Sequence, residues 1–303
     1  MIGFFYSGEL AAILAAILWS VAVILFRSLS KNISPFLIAA LKNSIALLLF
    51  IILFLYLSIP FWHSQFLLSD YLKIIISGCL GMGFADVLFI YTLSMVGANR
   101  AAIVGTFEPV VIYITSFFML GTLLTFQQNI GLLIAISGLL IIIYEKDFID
   151  INPQTKKIGL LLQLSAMCFA SFGIVLIKPL LNQIQSDISL QLWVTLLRLI
   201  PGFIISWVVF LFQKNRILLL VPLRNPKVLQ KVFLSSSFGT FMALSFWIIG
   251  YSNLEPPVAS MLGQTSVIFI LILSVLFLKE RITRTRVLSA LIVIFGVALV
   301  ILT

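Results

Sequence analysis

Apolar runs long enough to cross a bilayer follow one another along almost the whole chain, and this succession constrains the fold more than any motif. Segments near residues 8–27, 34–57, 72–95, 98–121, 126–144, 157–178, 189–212, 231–250, 255–278 and 285–302 each approach the roughly 20 residues that a helix needs to span a hydrocarbon slab ~30 Å thick. The breaks between them carry turn chemistry or charge, as at Asn32-Ile33-Ser34-Pro35, Gly97-Ala98-Asn99-Arg100 and Glu255-Pro256-Pro257. The fold expected is an all-α integral membrane protein with ten transmembrane helices. Of the 303 residues, 62% are hydrophobic and 10% charged, and mean hydropathy is +1.22, which leaves no room for a separate soluble catalytic domain. The first run, Glu9 to Phe26, is too long and bulky for a secretory h-region and reads as the first span.

Self-comparison adds a second constraint. Residues 94–143 align with 252–301 at a constant offset of 158 without a gap, pairing Ser94 with Ser252, Gly105 with Gly263, Thr125 with Thr283 and Gly138 with Gly296. Gly81 and Gly239 extend the match upstream. In the first spans of the halves Gly8 pairs with Gly159 and Arg27 with Lys178 at an offset of 151, while Lys42 falls opposite Arg198. Five spans per half is an odd number, so the second half enters the membrane in the opposite sense. The expected arrangement is two inverted five-helix repeats, residues 1–146 and 156–303 joined by 147–155, around a midplane site.

Charge placement sets the expected orientation. Fifteen of the nineteen Lys and Arg fall in the odd-numbered connections: Arg27 and Lys31; Arg100; Lys146, Lys156 and Lys157; Lys214, Arg216, Arg224, Lys227 and Lys231; Lys279, Arg281, Arg284 and Arg286. Only Lys73 and Lys178 are assigned to the other side. The positive-inside rule then places both termini outside, in a plasma (inner) membrane. The formal charge of +9 is scattered and forms no basic stripe interleaved with aromatics, so nucleic acid is not an expected partner. The expected partners are the lipid bilayer and a small-molecule solute, and a homodimer is left open. Cys79 and Cys168 each stand alone in an apolar run, which excludes a CxxC metal site and gives no reason to expect a disulfide. No cofactor or metal is expected, and HExxH, GxSxG and Walker A signatures are absent.

Four charges lie within spans: Lys42, Asp86, Glu108 and Arg198. Each costs roughly 2.5–3.5 kcal/mol at a helix centre, so they are expected to face a cavity or one another. Lys42 lies near a span end and could snorkel. Asp86 follows Gly78, Gly81 and Gly83 and is read first as a partner of Lys42 or Arg198, with a ligand carboxylate as the alternative. Glu108 precedes Pro109, which removes a backbone donor and disfavours helix in the residue before it. A kink beside Gly105 and Thr106 is expected, with Glu108 as the coupling or ligand carboxylate. The equivalent stretch Gly263-Gln264-Thr265-Ser266 is polar but lacks proline. The candidate cavity therefore comprises Trp19, Ser20, Asp86, Glu108, Arg198, Gln264 and Thr265, with Lys42 and Pro109 as structural charge and kink. Trp193 and Trp247 read as cavity walls or interface anchors, His63 as an interfacial residue, and Ala11, Ala15, Gly131, Ala135 and Gly138 as close helix packing.

Trp19-Ser20 in the first span, a basic residue in the second span of each half, Glu108-Pro109 in the fourth, and Leu276-Phe277-Leu278-Lys279-Glu280-Arg281-Ile282 leading to Gly296 together resemble the EamA family of the drug/metabolite transporter superfamily. The resemblance covers nearly the whole chain as two tandem units. It implies a ten-helix inverted-repeat carrier with a central cavity, exporting amino acids, other metabolites or drugs. Two departures stand out: Thr122 replaces the Glu that Glu280 keeps in the second unit, and the Glu-Pro pair is missing at Ser266-Val267. The expected function is secondary active transport by alternating access, proton-coupled through Glu108. An exchanger of anionic or nucleotide-linked metabolites using Lys42 and Arg198 is the alternative, followed by a membrane scaffold or enzyme.

Overall fold

A computed structural model describes residues 8–105, 107–143, 152–278 and 284–301, and these are helical with short connections. Thr106, Lys146, Asp147 and the run Lys279 to Thr283 lie outside the described residues. The first half comprises α1 (Gly8–Leu29), α2 (Pro35–Leu57), α3 (Leu68–Val96), α4 (Ala98–Gly105), α5 (Glu108–Leu120) and α6 (Phe126–Ile143). The second comprises α7 (Pro153–Gln183), α8 (Ile188–Leu211), α9 (Pro226–Asn253), α10 (Pro256–Gly263), α11 (Thr265–Leu278) and α12 (Arg284–Ile301). Proline begins α2, α7, α9 and α10, where its missing N–H leaves no intrahelical bond unmade. Asn152, Asp187 and Asn225 cap α7, α8 and α9 through side-chain oxygens that accept from Gln154, Leu190 and Lys227 N–H.

Among the described residues seven helical stretches have the length and apolar composition to cross a membrane, one of them Pro256–Leu278 taken across the α10–α11 junction, against the ten expected. One reason is local: the stretch 98–121 does not form one helix but divides into α4 and α5, of 8 and 13 residues, too short to span alone at 1.5 Å per residue. The chain is an integral multi-pass membrane protein.

The halves correspond element by element. Within α3 the residues Cys79–Ala85 widen into a π-helical segment, and within α9 Ser236–Ala243 do the same, coinciding to within one residue at the sequence offset of 158. At the first-helix ends, Arg27 donates to the carbonyls of Leu93 and Ser94 at 2.8 and 3.3 Å, closing the end of α3. Its counterpart Lys178 donates to Tyr251, Ser252 and Leu254 carbonyls at 2.8, 3.3 and 2.7 Å, closing the end of α9. Each cation satisfies orphan carbonyls at the negative end of a helix. Lys178 is therefore not the loop charge expected from sequence. It is 2% exposed because α7 continues five residues beyond it, to Gln183, carrying Pro179 on its exposed side.

α6 and α12 pack backbone to backbone. A Cβ at Gly138 would lie 2.9 Å from Ser289 O, and one at Gly296 2.6 Å from Gly131 O, so each equivalent glycine admits the other half's helix. Elsewhere the halves interlock. α1 lies against α9, α10 and α11, and α2 against α8. Trp207 Nε1 on α8 donates to Ser44 Oγ on α2 at 2.8 Å. Trp193 is fully buried and donates to Phe61 O at 3.0 Å, stacked on Phe66 and edge-on to His63. It is a core residue, neither lipid anchor nor cavity wall. Cys79 and Cys168 are free thiols.

Candidate functional site

Between the halves lies a cavity of about 230 Å³. Trp19 of α1, Lys42 of α2, Asp86 and Phe89 of α3, Glu108 of α5, Gln163 of α7, Arg198 of α8, Trp247 and Tyr251 of α9, and Gln264 at the α10–α11 junction all line it. No lining residue comes from the described part of α6 or α12. Apolar surface predominates, supplied by the alanines of α1, Val23, Leu244 and Ile270 as well as the aromatic rings.

The second helices of the two halves bring their basic residues to this cavity in different states. Lys42 Nζ reaches Asp86 Oδ2 at 2.5 Å, Asn43 Oδ1 at 3.1 Å and Thr240 Oγ1 at 3.4 Å. This ties α2, α3 and α9 together. Lys42 is 1% exposed, so it does not snorkel, and Asp86 takes the partner role preferred in the sequence. A buried pair whose members also bond to neighbours recovers much of its desolvation cost, whereas removing one member leaves a charge stranded.

Arg198 is also 1% exposed, yet Nε, Nη1 and Nη2 have no hydrogen-bond partner. The guanidinium lies over the Trp247 ring with Cζ 5.4 Å from its centroid, a cation–π contact worth about 2 kcal/mol when desolvated. That contact engages the face of the plane and leaves its five N–H donors unused. Gly81 makes room: a Cβ there would stand 3.0 Å from Nη2. Tyr251 Oη and Gln163 Oε1, both on the cavity, are buried without partners as well. Each unsatisfied group costs about 1–3 kcal/mol, more when charged, and such groups collect where a ligand completes them.

Glu108 begins α5 where the helix has broken after Gly105, as Glu108-Pro109 predicts. It is half-buried, lines the cavity and takes part in neither ion pair found among the described residues. Pro109 is buried at the start of α5 and lies off the cavity wall. The second half breaks at the equivalent place without proline, between Gly263 and Thr265, leaving Gln264 on the wall.

Trp19, Asp86, Glu108, Arg198 and Gln264 are thus brought together, with Lys42 beside them. Ser20 and Thr265 are not among the lining residues. Ser20 is fully buried, its one hydroxyl proton within reach of Ala16 O at 2.6 Å and Ser266 O at 3.0 Å, while Thr265 Oγ1 donates back to Leu262 O at 2.8 Å. Both hydroxyls serve helix backbones at the α1–α11 contact and the break. Sequence reasoning missed Tyr251 and Gln163. The spacing Trp247 to Tyr251, one helical turn on one face, was the available signal for the former.

Two tandem multi-helix units closed around a partly polar cavity define a polytopic membrane protein with a central chamber. The EamA-like transporter family matches residues 6–144 and again residues 157–302, and the chain belongs to that family of membrane transporters of the drug/metabolite type. No curated protein matches the sequence. The crystal structure of another protein superposes with a TM-score of 0.74 at 17% identity, covering 98% of this chain and 96% of its own. At that identity the likeness concerns the fold alone.

Proposed function

We propose that the protein is a secondary active carrier that exports a small organic solute, such as an amino acid, metabolite or drug, across the plasma (inner) membrane. Two inverted repeats of five membrane passages would alternate access to the cavity, and Glu108 would couple the cycle to protons. The observation that carries this reading is Glu108 itself. It sits at a helix break on the wall of a cavity built from both repeats, and among the described residues no cation holds it as Asp86 holds Lys42. A carboxylate in that position is free to exchange a proton or a ligand ammonium. Both chain ends are assigned to the outer side, and the basic-residue bias is stronger now that Lys178 no longer counts as a loop charge.

Uptake of radiolabelled amino acids and cationic drugs into inside-out vesicles, with and without a proton gradient, tests the reading. Gradient-dependent accumulation is expected in wild type and is expected to vanish in Glu108→Gln with the protein still folded in the membrane. Wild-type rates in that variant would remove Glu108 from the coupling role. The anion-exchange reading has one observation in its favour, the unpartnered guanidinium of Arg198. Lys42 no longer contributes, since Asp86 neutralises it.

A further inference from the structure

We propose that Arg198, braced by Trp247 and joined by Tyr251, is the subsite for the single carboxylate of a small monocarboxylate with an apolar body. This deepens the carrier reading and rests on it for the cavity's purpose. Three buried guanidinium nitrogens and the Tyr251 hydroxyl, all without hydrogen-bond partners, converge on one cavity. A planar carboxylate is the acceptor that matches a guanidinium edge, in two parallel N–H···O bonds. Trp247 holds the face of the plane and so presents that edge.

Charge and size select within the anions. The ionisable cations and carboxylates on the wall are Lys42, Arg198, Asp86 and Glu108, and Lys42 is spent on Asp86. With Glu108 protonated, the one free guanidinium neutralises one negative charge, whereas a phosphate dianion would keep a second charge buried without compensation. At about 230 Å³ the cavity falls below the roughly 300–1,000 Å³ of drug-sized sites, too small for a nucleotide-linked solute. Trp19, Val23, Phe89, Met167, Leu244 and Ile270 line the remainder and fit an apolar body.

Three ligands with one phenylethyl body and different head groups separate the chemistries: 3-phenylpropionate, phenethylamine and 2-phenylethyl phosphate. Calorimetric binding to the purified full-length protein in detergent needs no gradient, so it fails or succeeds independently of Glu108 coupling. Wild type is expected to bind 3-phenylpropionate at least tenfold more tightly than the other two. Arg198→Gln is expected to lose about tenfold to a hundredfold of that affinity, and Arg198→Lys, which keeps the charge without the fork, to lie between. The phosphate or the amine binding as tightly as the carboxylate would overturn the proposal, as would no binding by any of the three. Arg198→Gln or, should that variant not fold, Arg198→Lys binding 3-phenylpropionate like wild type would do the same.

Discussion

The two repeats place a basic side chain at the same position of their second helices, and the surroundings give the two cations opposite roles. In the first repeat Lys42 meets Asp86 immediately after a π-helical segment. In the second, the matching segment is followed by Leu244, and Arg198 rests on an aromatic face with no ion pair at contact distance among the described residues. Duplication supplied two similar frames, and substitution of a few side chains made one cation a brace and left the other without an acceptor.

Stability measurements sharpen that contrast most. Lys42→Met strands the Asp86 carboxylate and is expected to cost about 3–5 kcal/mol, read as a large fall in the thermal midpoint of the detergent-solubilised protein. Arg198→Met removes a buried charge that no acceptor satisfies, so its midpoint is expected to match or exceed that of wild type. Equal losses in both variants would erase the distinction. The paired helix-end cations come next. Lys178→Met abandons three carbonyls and Arg27→Met at least two, and at about 1.5–3 kcal/mol for a typical charge-assisted bond both are expected to destabilise. A midpoint unchanged from wild type in either variant would break the equivalence drawn between them. The smallest effect is expected from Pro109→Ala. The second repeat breaks its helix with no proline, so the first should keep its break, losing about 0.4–1 kcal/mol through the freed unfolded chain. A crystal structure of the variant with α4 and α5 fused would show that proline alone makes the break.

Much of this was legible in the sequence because membrane helices obey strong local rules. Hydropathy found the helical stretches, the glycine pairs found the repeat, and Glu108-Pro109 marked the break. The cost of an isolated charge in lipid foretold that Lys42, Asp86 and Arg198 would turn inward, though not which two would pair. That choice depends on helix rotation at the π-helical segments, which no simple periodicity announces. The break at Gln264 was illegible for a similar reason: it has no proline, and its polar residues are ordinary in membrane helices. Ser20 and Thr265 were assigned to the cavity by residue type, but a hydroxyl on a helix bonds readily to the carbonyl one turn back, and both do so.

The position of α1 bears on how the molecule comes to be made. Its small-residue face, Ala11, Ala12, Ala15 and Ala16, is buried, and its neighbours are α9, α10 and α11, more than two hundred residues later in the chain. α1 is therefore synthesised long before its principal partners. It waits in the bilayer with an alanine-rich face toward lipid, which costs little in hydrocarbon. The cavity closes only when α9, α10 and α11 arrive, so a nascent chain halted before α9 would hold the Lys42–Asp86 pair without its Thr240 contact, and no chamber.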